Sequence, residues 1–265
     1  MLKAFGVPVI FAGLSLCFGG QASAATTAAT YTFNGNFLAL EAGAPPMVPI
    51  DPQGTSGFQV ATVYGQPRTV YHFDGLNSPP PQQGGLTVNT TSLIAGNDYS
   101  AEMVLEFDQR NAAWRRLIDV RNRQSDSGFY VDPSNNLDIY PVGGSSNAFT
   151  TGAFHHVVLT DTGGVAKGYL DGTLQFTFPT TLMDVNNLNN PAHSMNFFLD
   201  NVVATGQGEW SPGDVALIRL YNGALSGQEV ATLAADPFVN TPEPASLVLC
   251  AAGVPALLLR RRRAR

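Results

Sequence analysis

The chain has 265 residues, and 14 basic against 20 acidic residues give a formal net charge of −6. Lys3 and the five arginines beyond residue 259 lie outside residues 25–240, which leaves that stretch eight basic and nineteen acidic residues, a net of −11. A phosphate backbone is repelled by such a surface, so nucleic-acid binding is excluded. Both cysteines, Cys17 and Cys250, sit in apolar runs near the ends. Residues 25–240 therefore hold no disulfide framework and no cysteine metal site, and their stability must come from a packed core.

The chain opens Met1-Leu2-Lys3, continues apolar to about Phe18, and then reads Gly19-Gly20 and Ala22-Ser23-Ala24. A positive start, a short apolar stretch and an A-x-A triplet make residues 1–24 a secretory signal peptide, with signal peptidase expected to cut after Ala24. Leu16 is too large for a lipoprotein site at Cys17.

Between the two ends, in chain order, strands are expected at residues 31–38 and 70–73. Tyr99, Ala101, Met103, Leu105 and Phe107 then alternate with Ser100, Glu102, Val104, Glu106 and Asp108. That pattern predicts a half-buried strand with one polar face. Further strands are expected at 117–120, 128–131, 137–140 and 155–160. Runs at 165–170 and 173–178 flank Asp171-Gly172, a hairpin signal. Strands at 195–199 and 215–221 follow. Ser226-Gly227-Gln228-Glu229 is a capping box that starts a short helix through Val230 and Leu233. Loops are expected at 43–57 and 74–85. These spacings predict an all-β sandwich.

Beyond residue 236 a linker is expected over 237–244, holding Thr241-Pro242-Glu243-Pro244. Residues 245–259 are apolar apart from Ser246 and are interrupted by Pro255; Arg260, Arg261, Arg262, Arg263, Ala264 and Arg265 end the chain. About fifteen helical residues span roughly 22 Å, short of a hydrocarbon core of about 30 Å. Arginine side chains reaching toward the interface reduce the mismatch. An arginine cluster stays cytoplasmic, which puts the domain outside, in agreement with the signal peptide.

Two resemblances follow. Pro242, Glu243 and Pro244, the apolar stretch, and Arg260, Arg261, Arg262 and Arg263 resemble the PEP-CTERM sorting signal of Gram-negative bacteria. The resemblance implies an inner-membrane intermediate and processing by an exosortase that removes the tail. It also implies delivery to the cell surface or extracellular matrix of an exopolysaccharide-making host. The second lies in the middle. His72-Phe73-Asp74-Gly75, His155-His156-Val157-Val158-Leu159-Thr160, Gly168-Tyr169-Leu170-Asp171-Gly172, Phe197-Phe198-Leu199-Asp200-Asn201 and the segment 218–226 resemble laminin-G-like (concanavalin A-like) jelly rolls. Phe154 stands where that family often has Trp. The implied fold is a two-sheet antiparallel jelly-roll sandwich over residues 25–236, with ligands on the concave face or the rim loops.

Glu106-Phe107-Asp108 is similar to the E-x-D-x-x-E of concanavalin-like glycoside hydrolases, whose chemistry needs paired carboxylates; the third position here is Asn111. His155 and His156 point to opposite faces of a strand, so one metal does not take both, and His156 reads as structural. No H-E-x-x-H or G-x-S-x-G occurs. Asp200, Asn201 and Glu209 flank a late loop, and their hard oxygens suit calcium. Asp132, Asn135, Asn136 and Asp138 read as a polar hairpin turn. Arg115, Arg116, Arg121 and Arg123 gather the domain's positive charge, as a solvated face with local salt bridges or as a site for acidic polysaccharide. The expected function is a non-catalytic binding module for carbohydrate or exopolysaccharide. A polysaccharide-acting surface enzyme and a protein-binding adhesion module are the alternatives, since fold does not settle function.

Overall fold

The computed structural model describes residues 24–108, 113–203 and 208–239. The expected signal peptide, Asn111, and the motif Pro242, Glu243, Pro244 with the apolar segment and terminal arginines lie outside the described residues. Among the described residues, no helix is long and apolar enough to cross a membrane.

The strands, in chain order, are β1 (Thr26–Tyr31), β2 (Val48–Ile50), β3 (Gly57–Val63), β4 (Gln66–Phe73), β5 (Gly85–Asn89), β6 (Tyr99–Phe107), β7 (Arg115–Asp119), β8 (Gly128–Val131), β9 (Asn136–Tyr140), β10 (Gly143–Ala148), β11 (His155–Thr162), β12 (Val165–Leu170), β13 (Thr173–Pro179), β14 (Ser194–Phe197) and β15 (Gly213–Asn222). One helix, α1 (Gly227–Ala235), follows. Sheet A has the order β13-β12-β11-β6-β15-β4-β3, with β1 also on β15; sheet B has the order β10-β9-β8-β7-β14-β5-β2. Every pairing is antiparallel. This is the expected all-β jelly-roll sandwich.

The core lies between the sheets. Met103, Leu105 and Phe107 from sheet A meet Ile118, Phe129 and Ile139 from sheet B, all fully buried. Phe73 stacks on Phe198 at 4.1 Å, and Phe107 meets Phe198 edge-on at 6.2 Å, the latter a geometry that ring quadrupoles favour.

The expected polar face of β6 is corrected. Ser100 and Glu102 are 0% exposed, because β6 sits between β11 and β15 and its outer face is roofed by α1. Val230 and Leu233 of the helix pack on Val158, Tyr169, Tyr221, Leu225 and Ala25. The capping box forms as read: Ser226 Oγ accepts from Glu229 N–H (3.3 Å), and Glu229 Oε2 accepts from Ser226 N–H (2.7 Å). Under this roof Glu102 accepts from Arg219 (3.0 Å) and Tyr221 (2.7 Å), and it pairs with His156 Nε2 at 3.0 Å. His156 is the expected structural histidine. His155 points to the other side and pairs with Asp171 at 2.8 Å.

The Asp171-Gly172 hairpin joins β12 and β13, with φ of 48° and 79° at the two residues. A Cβ on Gly172 would stand 2.9 Å from the Ala234 methyl of α1. The expected strand at 31–38 is a second correction. β1 ends at Tyr31, and the chain then loops, with Phe33 at φ 53° and Gly35 at φ 74°. The loop expected at 43–57 contains the short edge strand β2, whose Pro49 suits an edge because proline gives no ladder donor.

Candidate functional site

The loop after β14 and the turn between β7 and β8 bring three acids together. Asp126, Asp200 and Glu209 each offer a carboxylate oxygen, and these lie within 4.8 Å of one another. Asp200 and Asn201 are fully buried. Asn201 Nδ2 donates to Asp126 Oδ1 (2.8 Å) and Asp200 Oδ1 (3.1 Å), while Asn201 Oδ1 accepts from the Val203 amide (3.1 Å). The Asn201 and Glu209 amides also donate to Asp200, at 2.6 and 3.2 Å. Of the expected calcium residues, Asp200 and Glu209 thus converge, and Asn201 links two of the acids.

Glu209 also accepts from the Tyr130 hydroxyl at 2.8 Å. Burial, and then the nearby Asp200, push the Glu209 carboxyl up to about 7. Beside it, Arg116 donates to the Asp126 carbonyl (2.7 Å), the Ser125 carbonyl (3.1 Å) and the Tyr130 hydroxyl. Burial opposes the Arg116 charge, yet Tyr130, Asp119 and Asp200 hold its pKa above the ordinary value. The cluster is thus acidic, oxygen-rich and incompletely neutralised. An all-oxygen donor set of this kind fits a hard divalent cation.

Next to the cluster, the outer face of sheet B presents aromatic rings. Phe129 and Val131 point into the core, so Tyr130 faces outward on the same strand. Half-buried Trp114 meets Tyr130 and Tyr140 edge-on, each at 5.5 Å, and Tyr140 is 39% exposed. Asp138 lies opposite Tyr130 in register. Burial, and then Asp132, raise its carboxyl to about 6. Asn196 donates to Asp119 at 2.9 Å further along the sheet. Of these groups Trp114 and Tyr140 reach solvent, while Tyr130, Asp138, Asp119 and Asn196 are buried beneath the surface.

Glu106 and Asp108 lie elsewhere, at the end of β6 on the outward side of sheet A. Glu106 is opposite Asp214 of β15, and Asp214 is opposite His72 of β4. Asp214 pairs with His72 at 2.9 Å and accepts from Gln59 at 2.8 and 3.0 Å. Burial first, then Asp214 and Asp108, push Glu106 up to about 7. The closest acidic partner of Glu106 in register is therefore Asp214.

The arginine face is corrected. Arg115 is fully buried, with its guanidinium 5.6 Å from the Phe107 ring centre. Arg121 donates to the Leu182 and Thr181 carbonyls, and Arg123 to those of Asp200 and Pro80. Strand register turned Arg115 toward the core and Arg116 onto the outer side of sheet B, where Tyr130 and the 125–126 carbonyls bury it, and loop carbonyls took the others. Asp132 and Asn135 form the polar turn expected, with Asp132 Oδ1 accepting from the Ser134 and Asn136 amides, each at 2.8 Å, whereas Asp138 lies buried within β9 opposite Tyr130.

Asp126 and Trp114 were not singled out from the sequence. Asp126 sits in a polar turn without periodicity, and only sheet pairing brings that turn beside residues 200–209. Trp114 precedes a strand and could have been found by extending the alternation of β7 backward.

Residues 81–231 match the Laminin_G_3 family model, described as the concanavalin A-like lectin/glucanases superfamily. Among curated proteins, no sequence matches. Solved structures do. Domain 4 of AbnA, a GH43 extracellular arabinanase from Geobacillus stearothermophilus in complex with arabinotriose, is 19% identical with a TM-score of 0.60, over 80% of this chain and 100% of that one. A botulinum neurotoxin type C structure, from work on cell entry dependent upon interaction with two ganglioside molecules, is 11% identical with a TM-score of 0.55. It aligns over 79% of this chain and 50% of that one, so this chain spans half its length. At these identities the likeness is one of fold.

Proposed function

From the premise that this chain belongs to the Laminin_G_3 family of the concanavalin A-like lectin/glucanases superfamily, we propose that it is a non-catalytic carbohydrate-binding module, taking exopolysaccharide at the outer face of sheet B. The observation that carries this reading is the pair of half-buried Trp114 and exposed Tyr140, edge-on at 5.5 Å on the outer side of sheet B, with buried Tyr130 packed against the same tryptophan. Accessible aromatic rings of this kind cover the C–H face of a pyranose. The AbnA domain, of the same fold and in complex with arabinotriose, supports the ligand class.

Asp126, Asp200 and Glu209 hold calcium at the rim of that face. The ion neutralises the acids and sets Asp200 and Glu209 beside Tyr130. The protein is exported by its signal peptide, held in the inner membrane by residues 245–259, and sorted by an exosortase at Pro242, Glu243 and Pro244. It is thus delivered to the cell surface or extracellular matrix.

Isothermal titration of the purified full-length chain against a panel of oligosaccharides, in calcium, tests the binding. The expected result is saturable binding of at least one glycan, weakened about tenfold, or about 1.4 kcal/mol, by Trp114→Ala. Binding untouched by Trp114→Ala removes this face from consideration. Export is tested by expression with Pro242 and Pro244 changed to Ala, which should leave the chain in the membrane fraction.

One observation favours an enzyme as the second reading: the half-buried Glu106, with a carboxyl pKa of about 7, beside Asp214. A carboxyl that stays protonated near neutral pH can serve as general acid. Release of reducing ends from polysaccharide, abolished in Glu106→Gln, would support it.

A further inference from the structure

A second set of carboxylates lies apart from the rim. Asp161 of β11 stands opposite Tyr99 of β6, on the same side as the core residues Val157 and Leu159. It is 0% exposed. Neither of its oxygens meets a donor in hydrogen-bond geometry among the described residues, and Asp184 Oδ1 is buried in the same condition. The two carboxyl groups are neighbours: Asp161 is opposite Tyr99, whose hydroxyl reaches the residue before Asp184, and the acids lie within hydrogen-bond reach of each other.

The neighbours that could have neutralised this pair are engaged elsewhere. The Tyr99 hydroxyl donates to the Met183 carbonyl at 2.8 Å. Arg121, whose charge reaches Asp184, directs its Nε and one terminal nitrogen to the Leu182 and Thr181 carbonyls. Asp98 Oδ1 takes the Gly163 amide at 3.0 Å. Met183 and Val185 are fully buried on either side of Asp184 and hold it in place, while Asp184 itself is partly exposed and leaves an ion a way in.

Buried carboxylate oxygens without donors are costly unless a cation or proton compensates them. This separates the pair from the rim acids, where amides, Asn201 and Tyr130 already donate. We propose that Asp161 and Asp184 form a second divalent-cation site, for calcium, that pins the segment 180–187 onto the end of β11. The donors are oxygens alone, which favours calcium over softer metals, and water completes such a shell.

Calcium titration of the full-length chain by calorimetry, with melting curves in calcium and in chelator, tests this. The variants are Asp184→Asn, which removes a partly exposed ligand, and Glu209→Gln, which disables the rim. In the Glu209→Gln background one calcium should still bind, and adding Asp184→Asn should weaken it at least about tenfold. In chelator, Asp184→Asn should melt no lower than the wild type, because a repulsion is gone. A Glu209→Gln chain that binds no calcium, or calcium binding indifferent to Asp184→Asn, would overturn the proposal. A proton shared between the acids would show as stabilisation by acid with no response to calcium, and would also overturn it. Calcium lost with Asp184→Asn but retained with Glu209→Gln would uphold this site and remove the rim one.

Discussion

Arg219 and Glu102 meet across β15 and β6 at 3.0 Å, beneath α1. Both are almost wholly removed from water, at 4% and 0% exposure. Glu102 gathers Arg219, Tyr221 and His156, and Arg219 reaches on to Thr30 and the Pro237 carbonyl. Deleting one member leaves the others charged and without water. Glu102→Gln is therefore expected to cost about 3–5 kcal/mol, read by chemical denaturation of the full-length chain. A loss under about 1 kcal/mol would mean that water enters the network.

Acid should stabilise the metal-free protein in the mildly acidic range. Glu209 and Glu106, with ordinary values of 4.5, are raised to about 7 in the fold. Asp161 and Asp138, from 3.8, rise to about 7 and about 6. A raised group contributes fully below its unfolded pKa, and the contribution fades as pH climbs through the folded one. His72, raised first by its hydrogen bond to Asp214, has the same sign. Asp171 is lowered despite burial, chiefly by its bond to His155, and its contribution is lost only as pH falls below 3.8. Melting temperature in chelator should thus rise from about pH 8 to about pH 5. Glu209→Gln should flatten part of that slope, and a slope identical to wild type would refute the assignment.

Calcium should reverse that trend. An ion on Asp126, Asp200 and Glu209 favours the ionised acids, and binding to the folded form alone stabilises by mass action, about 2.7 kcal/mol at a hundredfold excess over Kd. Asp126→Asn should remove this gain without lowering stability in chelator. Equal losses in both conditions would show that Asp126 has only a structural role.

The hairpin carries the helix. Gly172→Ala should cost about 1–2 kcal/mol from its left-handed backbone, with a further loss from the Ala234 methyl 2.9 Å away. Ser226→Ala, which removes the cap alone, should cost about 1 kcal/mol. If the two losses are equal when measured by denaturation, hairpin and helix do not press on each other.

Local patterns were readable wherever one residue's neighbours in sequence decide its state. The 128–131 and 99–107 strands, the Asp171-Gly172 turn and the Ser226 cap all follow from alternation or turn chemistry. The polar face of β6 misled because a period-two pattern reports chemistry, and Glu102 is polar yet buried by a helix more than a hundred residues away in sequence. The 31–38 stretch alternates but bends at Phe33, where a left-handed backbone ends the ladder. In the rim cluster, Asp200 and Glu209 were legible from their loop. Asp126 was not, since its proximity to them arises from the pairing of β7 with β14 and β8.

β1 and the segment ending at Phe238 both lean on β15. Thr30 and Pro237 touch the same arginine, and Phe238 lies under Arg68 at 3.6 Å. Both of these segments therefore lie against sheet A, and Trp114 and Tyr140 sit on the outer side of sheet B. A chain held at Thr30 or Pro237 would thus be held at sheet A, leaving Trp114 and Tyr140 on the free sheet.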